Sequence, residues 1–95
     1  MAASPNTRYV KMLTSKEASL AASLRVTPLT MLIVRVLKGC GAPTPASVIA
    51  DKLSTSGRTV RQTISRARRS SRFRKAFPVE GDHRGMWLAD NSEED

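Results

Sequence analysis

Ala46-Ser47-Val48-Ile49-Ala50-Asp51-Lys52-Leu53-Ser54-Thr55-Ser56-Gly57-Arg58-Thr59-Val60-Arg61-Gln62-Thr63-Ile64 reads as two short helices joined by a tight turn. Val48, Ile49 and Leu53 line one face of the first helix, which ends near Ser54. Ser54-Thr55-Ser56-Gly57 supplies the turn, and Ser56 is placed to cap the second helix, because its hydroxyl accepts from first-turn amides that have no partner in the helix. The second helix is predicted over about 57–70, with Val60, Ile64 and Ala67 facing inward. With Val60 at zero and ~100° per residue, Ile64 and Ala67 fall at ~40° and ~−20°, whereas Arg58, Gln62, Ser65 and Arg69 fall at ~160°, ~−160°, ~140° and ~180°. The apolar and polar faces are therefore opposed.

Upstream, Thr27 is placed to cap and Pro28 to occupy the first helical position, where a missing N–H costs nothing. Leu29, Leu32, Ile33, Val36 and Leu37 follow at helical spacing as a buried stripe, and Gly39 and Gly41 end it. Thr44-Pro45 repeats the cap-plus-proline start for the helix that follows. Further upstream, Thr14-Ser15-Lys16-Glu17 has capping-box spacing, and Leu20 and Leu24 repeat at four, predicting a short helix within 14–26. Residues 1–13 show no hydrophobic period and read as a flexible basic arm. Past Ser70-Ser71 the pattern changes. Phe77 and Val79 alternate, Glu80-Gly81-Asp82-His83-Arg84-Gly85 is rich in turn formers, and Met86 and Leu88 alternate again, which predicts a β-hairpin with a six-residue tip. The expected fold class is mainly α with a small β-hairpin (α+β).

A chain of 95 residues allows one small domain. Only 4% of it is aromatic although 40% is hydrophobic, so the core rests mainly on aliphatic side chains, and a large enzyme cleft does not fit. Lys and Arg number 16 against 8 acidic residues, a net charge of +8 that points to a polyanionic partner. The excess is concentrated: residues 56–84 hold nine basic residues and two acidic ones, and no acid lies between Lys52 and Glu80. Asp90 to Asp95 carry four acids and no base, and read as a disordered, solvated acidic tail. The longest apolar run, Met31-Leu32-Ile33-Val34, is far short of the ~20 residues of a membrane span, and nothing resembles an export signal. With a single cysteine, Cys40, no internal disulfide forms, and the expected location is cytoplasmic, with the nucleoid.

Helix, short helix, tight turn, basic helix and hairpin is an order that resembles the winged helix-turn-helix family, from Thr27 to Ala89. Within that span Ala46 to Ile64 is similar to the family's two-helix unit, and Arg84-Gly85-Met86-Trp87-Leu88 resembles the returning strand of the wing. The resemblance implies a winged domain over 27–89 preceded by an extra N-terminal helix, and binding to double-stranded DNA. A major groove admits one α-helix, in which Arg pairs with guanine, Gln with adenine, and Ser reaches either a base or a phosphate. Arg58, Gln62 and Ser65, one turn apart on the outward face, are accordingly the base-reading candidates. Arg61 and Arg66 flank them at ~100° and ~−120° on the same wheel, where side chains meet the phosphate backbone. Ser56, Thr59, Arg69, Arg72, Arg74 and Lys75 complete the backbone candidates, and the wing offers His83 and Arg84 for backbone or minor-groove contact. Glu80 and Asp82 oppose such contact at the same tip. A merely solvated charged face is the competing reading; it leaves the mutual repulsion of these arginines without an offset.

No catalysis, metal or cofactor is expected. One histidine and one cysteine cannot assemble a zinc set, His83 has no evident nucleophile beside it, and no glycine-rich phosphate loop is present. If Met86 and Leu88 point inward, strand alternation turns Trp87 outward. The reading is a small transcriptional regulator of bacterial, phage or plasmid origin, acting as a homodimer, since a lone module makes few base contacts. Two alternatives keep the same charges: a protein-interaction module on an acidic partner such as the transcription machinery, and a DNA-architecture or partition protein. The acidic tail either folds back on the Arg-rich face or serves only as a solubilising end.

Overall fold

The computed structural model describes residues 5–89; the start of the predicted arm and the predicted acidic tail lie outside them. The order is α1 (Pro5–Met12), α2 (Ser15–Leu24), α3 (Pro28–Cys40), α4 (Ala46–Leu53), α5 (Gly57–Ala67), α6 (Ser71–Ala76), β1 (Val79–Asp82) and β2 (Gly85–Leu88). The fold is thus mainly helical with one two-stranded antiparallel sheet.

α3 is the central element, in contact with α1, α2, α4, α5 and β2. Thr27 caps it, accepting from the Thr30 amide at 3.3 Å, with Pro28 in its first turn. Leu29, Leu32, Ile33 and Leu37 are buried as their spacing requires, and Met31 and Val34 are buried too because neighbours surround the helix. Gly41, at φ 66°, ends it in the left-handed region. α2 opens with the full capping box: the Glu17 amide donates to Thr14 Oγ1 (3.1 Å) and the Thr14 amide donates to Glu17 Oε1 (2.9 Å).

Six sequence expectations are corrected. Residues 5–12 of the supposed flexible arm form α1; among its described side chains Tyr9 is buried, at 4% exposed, and Arg35 Nη2 donates to the Met12 carbonyl at its end. An eight-residue helix is marginal alone, so its order comes from packing on α3 rather than from any periodic pattern. Thr44 does not cap α4. Pro45 is the N-cap without a side-chain bond, while Thr44 exchanges backbone hydrogen bonds with Met86, both at 2.9 Å, as an isolated bridge beside β2. Val48, predicted to face inward on α4, is 41% exposed, and Ile49, Ala50 and Leu53 make the buried face.

The helix predicted to reach residue 70 ends at Ala67. Ser70 caps a separate helix, α6, by accepting from the Phe73 amide at 3.3 Å. Phe73 is completely buried and meets Phe77 with ring centroids 5.8 Å apart, so Phe77 belongs to the end of α6 and not to a strand. In the hairpin, Val79 pairs with Leu88 and Asp82 with Gly85, which leaves His83-Arg84 as a two-residue loop in place of the six-residue tip. Gly85 adopts φ +137°, and a Cβ there would lie 2.3 Å from the Thr44 carbonyl carbon. Only glycine lets the hairpin approach the segment before α4 so closely.

Candidate nucleic-acid interface

α5 is fixed from behind by Val60, Ile64 and Ala67, all buried, and from the side by α4, against which Gly57 packs at the Ser47 backbone. Its other face carries Arg58, Arg61, Gln62, Ser65 and Arg66, all exposed, as are Arg68 and Arg69 in the turn that follows. The two faces inferred from the wheel are those of the folded helix. Ser56 and Thr59 are more constrained: Ser56 Oγ accepts from the Thr59 amide at 3.1 Å, and the two hydroxyls lie 2.9 Å apart. Both therefore serve the helix cap first.

Between α5 and the hairpin runs a groove of about 830 Å³. Arg61, Ser65, Arg68 and Arg69 line one wall, Arg74 of α6 joins them, and Glu80, Asp82 and His83 form the hairpin wall above Ile64, Val79 and Met86. This gathers Arg61, Ser65, Arg69, Arg74 and His83 from three elements. Arg68 is an addition. Its wheel position, ~80°, is beside that of Arg61 and would have revealed it. On the opposite flank of α5, Arg66 lines a smaller depression of about 270 Å³ with Thr63, Ser70 and, from the junction of α2 and α3, Arg25 and Thr27. Arg25 was not legible as a candidate, because only the tertiary packing of α2 brings it beside Arg66. Arg61 and Arg66 thus stand on either side of the outward face, as their angles required.

The remaining candidates are dispersed. Arg58 and Gln62 are exposed on α5 outside both linings, Arg72 is exposed on α6, and Lys75 faces a third groove on the far side of the hairpin. Trp87 and Arg84 line that third groove as well; Trp87 is half-buried.

Charge pairing divides the molecule. Among the described residues the ion pairs are Arg35–Glu17 and Arg84–Asp82. At the hairpin loop, the Arg84 amide donates to Asp82 Oδ1 (2.8 Å), and its Nε and Nη2 donate to Oδ2 (3.2 and 3.0 Å). These bonds hold the Asp82 carboxyl below its usual range. The loop's one guanidinium is therefore matched by a carboxylate, which lowers its attraction for phosphate. On α5 and α6, by contrast, no described carboxylate pairs with any of the arginines.

No helix among the described residues is long and apolar enough to cross a membrane, and Cys40 is an exposed free thiol at the end of α3. No family model, curated protein or solved structure matches this chain.

Proposed function

We propose that the chain is a winged helix-turn-helix protein that binds double-stranded DNA sequence-specifically, with α5 in the major groove and the β1–β2 hairpin as the wing. The observation that carries this reading is the outward face of α5, whose exposed guanidinium groups have no described carboxylate partner and flank a polar stripe one helix wide. Such an array repels itself, and a phosphate-lined groove is the surface that relieves it. Arg58, Gln62 and Ser65 read bases. Arg61, Arg68 and Arg69 on one flank and Arg66 with Arg25 on the other hold the two phosphate backbones that border the groove.

In this reading the wing contributes less to affinity than α5, because Glu80 and Asp82 face the same groove and Asp82 already holds Arg84. Two copies acting together on an inverted or direct repeat provide the specificity a single module lacks. Among the described side chains of α1, Val10 and Met12, 50% and 44% exposed, are apolar and available for pairing. Transcriptional regulation is the role that fits a DNA-reading module of this size.

Selection of bound fragments from random duplex tests the proposal. A recurrent motif, with its spacing set by the paired copies, is the expected result. Recovery of unselected sequence, or of none, would leave the interface without a base-reading role.

A further inference from the structure

The third groove, of about 820 Å³, lies between the end of α3, α6 and the side of the hairpin turned away from α5. Phe77, Trp87 and Leu88 line it with apolar surface, and its cations are Lys38, Lys75 and Arg84, the last already paired with Asp82. Lys38 Nζ is 5.2 Å from the centre of the Phe77 ring, within cation–π range, so its ammonium is held over that ring rather than projecting freely. The hairpin separates this groove from the one beside α5, whose hairpin wall is made by Glu80, Asp82 and His83.

The chain leaves the described fold at this groove. Ala89 lines it, and its amide donates to the Pro78 carbonyl at 2.7 Å, which fixes the exit point. The next six residues, Asp90-Asn91-Ser92-Glu93-Glu94-Asp95, carry four carboxylates and no cation. Extended, they reach up to ~20 Å from Ala89, itself a wall of the groove that holds both lysines. A tether this short makes the local concentration of carboxylate high.

We propose that residues 90–95 dock on this groove, setting their carboxylates against Lys38 and Lys75 beside Trp87, and so lie across the hairpin from the α5 face. Exposed ion pairs are individually weak, so the docking is reversible and sensitive to salt. The inference is independent of DNA binding and is tested on the free protein.

Cys40, exposed and next to the groove-lining Gly41, accepts a nitroxide label in the full chain. At low salt, the backbone amide resonances of Ser92 to Asp95 should lose intensity. They should recover at ~1 M salt, where the Debye length is ~3 Å, and also in the Lys38→Glu/Lys75→Glu protein at low salt. Intensities that are the same under all three conditions would mean simple tethering and overturn the proposal. A second measurement needs no charge reversal: removing residues 91–95 should shift the Trp87 indole N–H and Lys38 resonances and leave those of Arg58 to Ser65 in place. Shifts on α5 instead would put the acidic segment on the Arg-rich face. A groove that ignores the segment but responds to an added acidic peptide of unrelated sequence would belong to a foreign occupant; either result overturns the inference.

Discussion

The Glu17–Arg35 corner and the α5 face use the same residue type for opposite ends. At the corner, Arg35 donates through Nε to Glu17 Oε2 (2.9 Å) and through Nη2 to Glu17 Oε1 and to the Met12 carbonyl (2.8 Å), so one guanidinium joins α1, α2 and α3. The Arg35 bonds hold the Glu17 carboxyl down at about 2, helped by the Thr14 cap, and the Arg35 pKa is raised in return. On α5, Arg58, Arg61 and Arg66 have no described carboxylate partner. An arginine whose donors are filled from within the chain contributes to the fold. A row of arginines left unfilled on one rigid face opposes folding slightly and is placed for an external anion. Mutations should separate the two regions cleanly.

The largest effect is expected where both regions fail together. Phe73 is the fully buried anchor of α6, which carries Arg72, Arg74 and Lys75, so Phe73→Ala should destabilise the protein by about 3–5 kcal/mol in urea unfolding. A loss below about 1 kcal/mol would mean that α6 is not held by its aromatic side chain.

Next come substitutions that act on one region only. Arg58→Ala or Gln62→Ala should cost ~1–3 kcal/mol in affinity for a selected duplex and relax preference at one base position, whereas Arg66→Ala should weaken all sequences alike. The melting temperature of each should stay close to that of the parent, because none of the three side chains is buried. The mirror case is Thr14→Ala, which removes half of the capping box and should cost ~1 kcal/mol of stability with duplex affinity intact. Crossed results, with Arg58→Ala unfolding the chain or Thr14→Ala abolishing binding, would erase the distinction between the regions.

The smallest effect is in pH. Glu17 titrates lower in the folded chain than in the unfolded one, so its contribution is fully present above its ordinary value of 4.5 and disappears as pH falls toward about 2. Glu17→Gln should therefore flatten the acid limb of the stability curve in that window and leave the curve near neutrality with the same slope. An unchanged acid limb would show that the corner ion pair does not couple to folding.

What the chain order disclosed follows the same division. The stripe on α3, the capping box at Thr14 and the two faces of α5 were legible because each is a local, periodic or capping signal with a fixed spacing. α1 was not, since Tyr9 is its one described buried side chain and one residue makes no period. α6 was missed although Phe73 and Phe77 are four apart, because alternation of Phe77 with Val79 offered a competing strand reading. Thr44 was misread because Thr-Pro suits a helix start equally well; its bridge to Met86 is a contact 42 residues away in sequence. In the candidate interface the helical candidates could be ordered by angle, whereas the pairing of Arg84 with Asp82 and the nearness of Arg25 to Arg66 depend on the fold.

The central claim, that the α5 guanidinium array is placed for phosphate, is tested most directly by duplex affinity measured across salt for the parent chain and for Arg61→Ala/Arg68→Ala. Each neutralised phosphate contributes about −0.9 to the slope of log affinity against log salt. The parent should show a steep negative slope, and the double variant should lose about 2 units of it while unfolding at the parent's temperature. A parent affinity that does not change with salt, or a slope unaltered by removing both arginines, would contradict the claim.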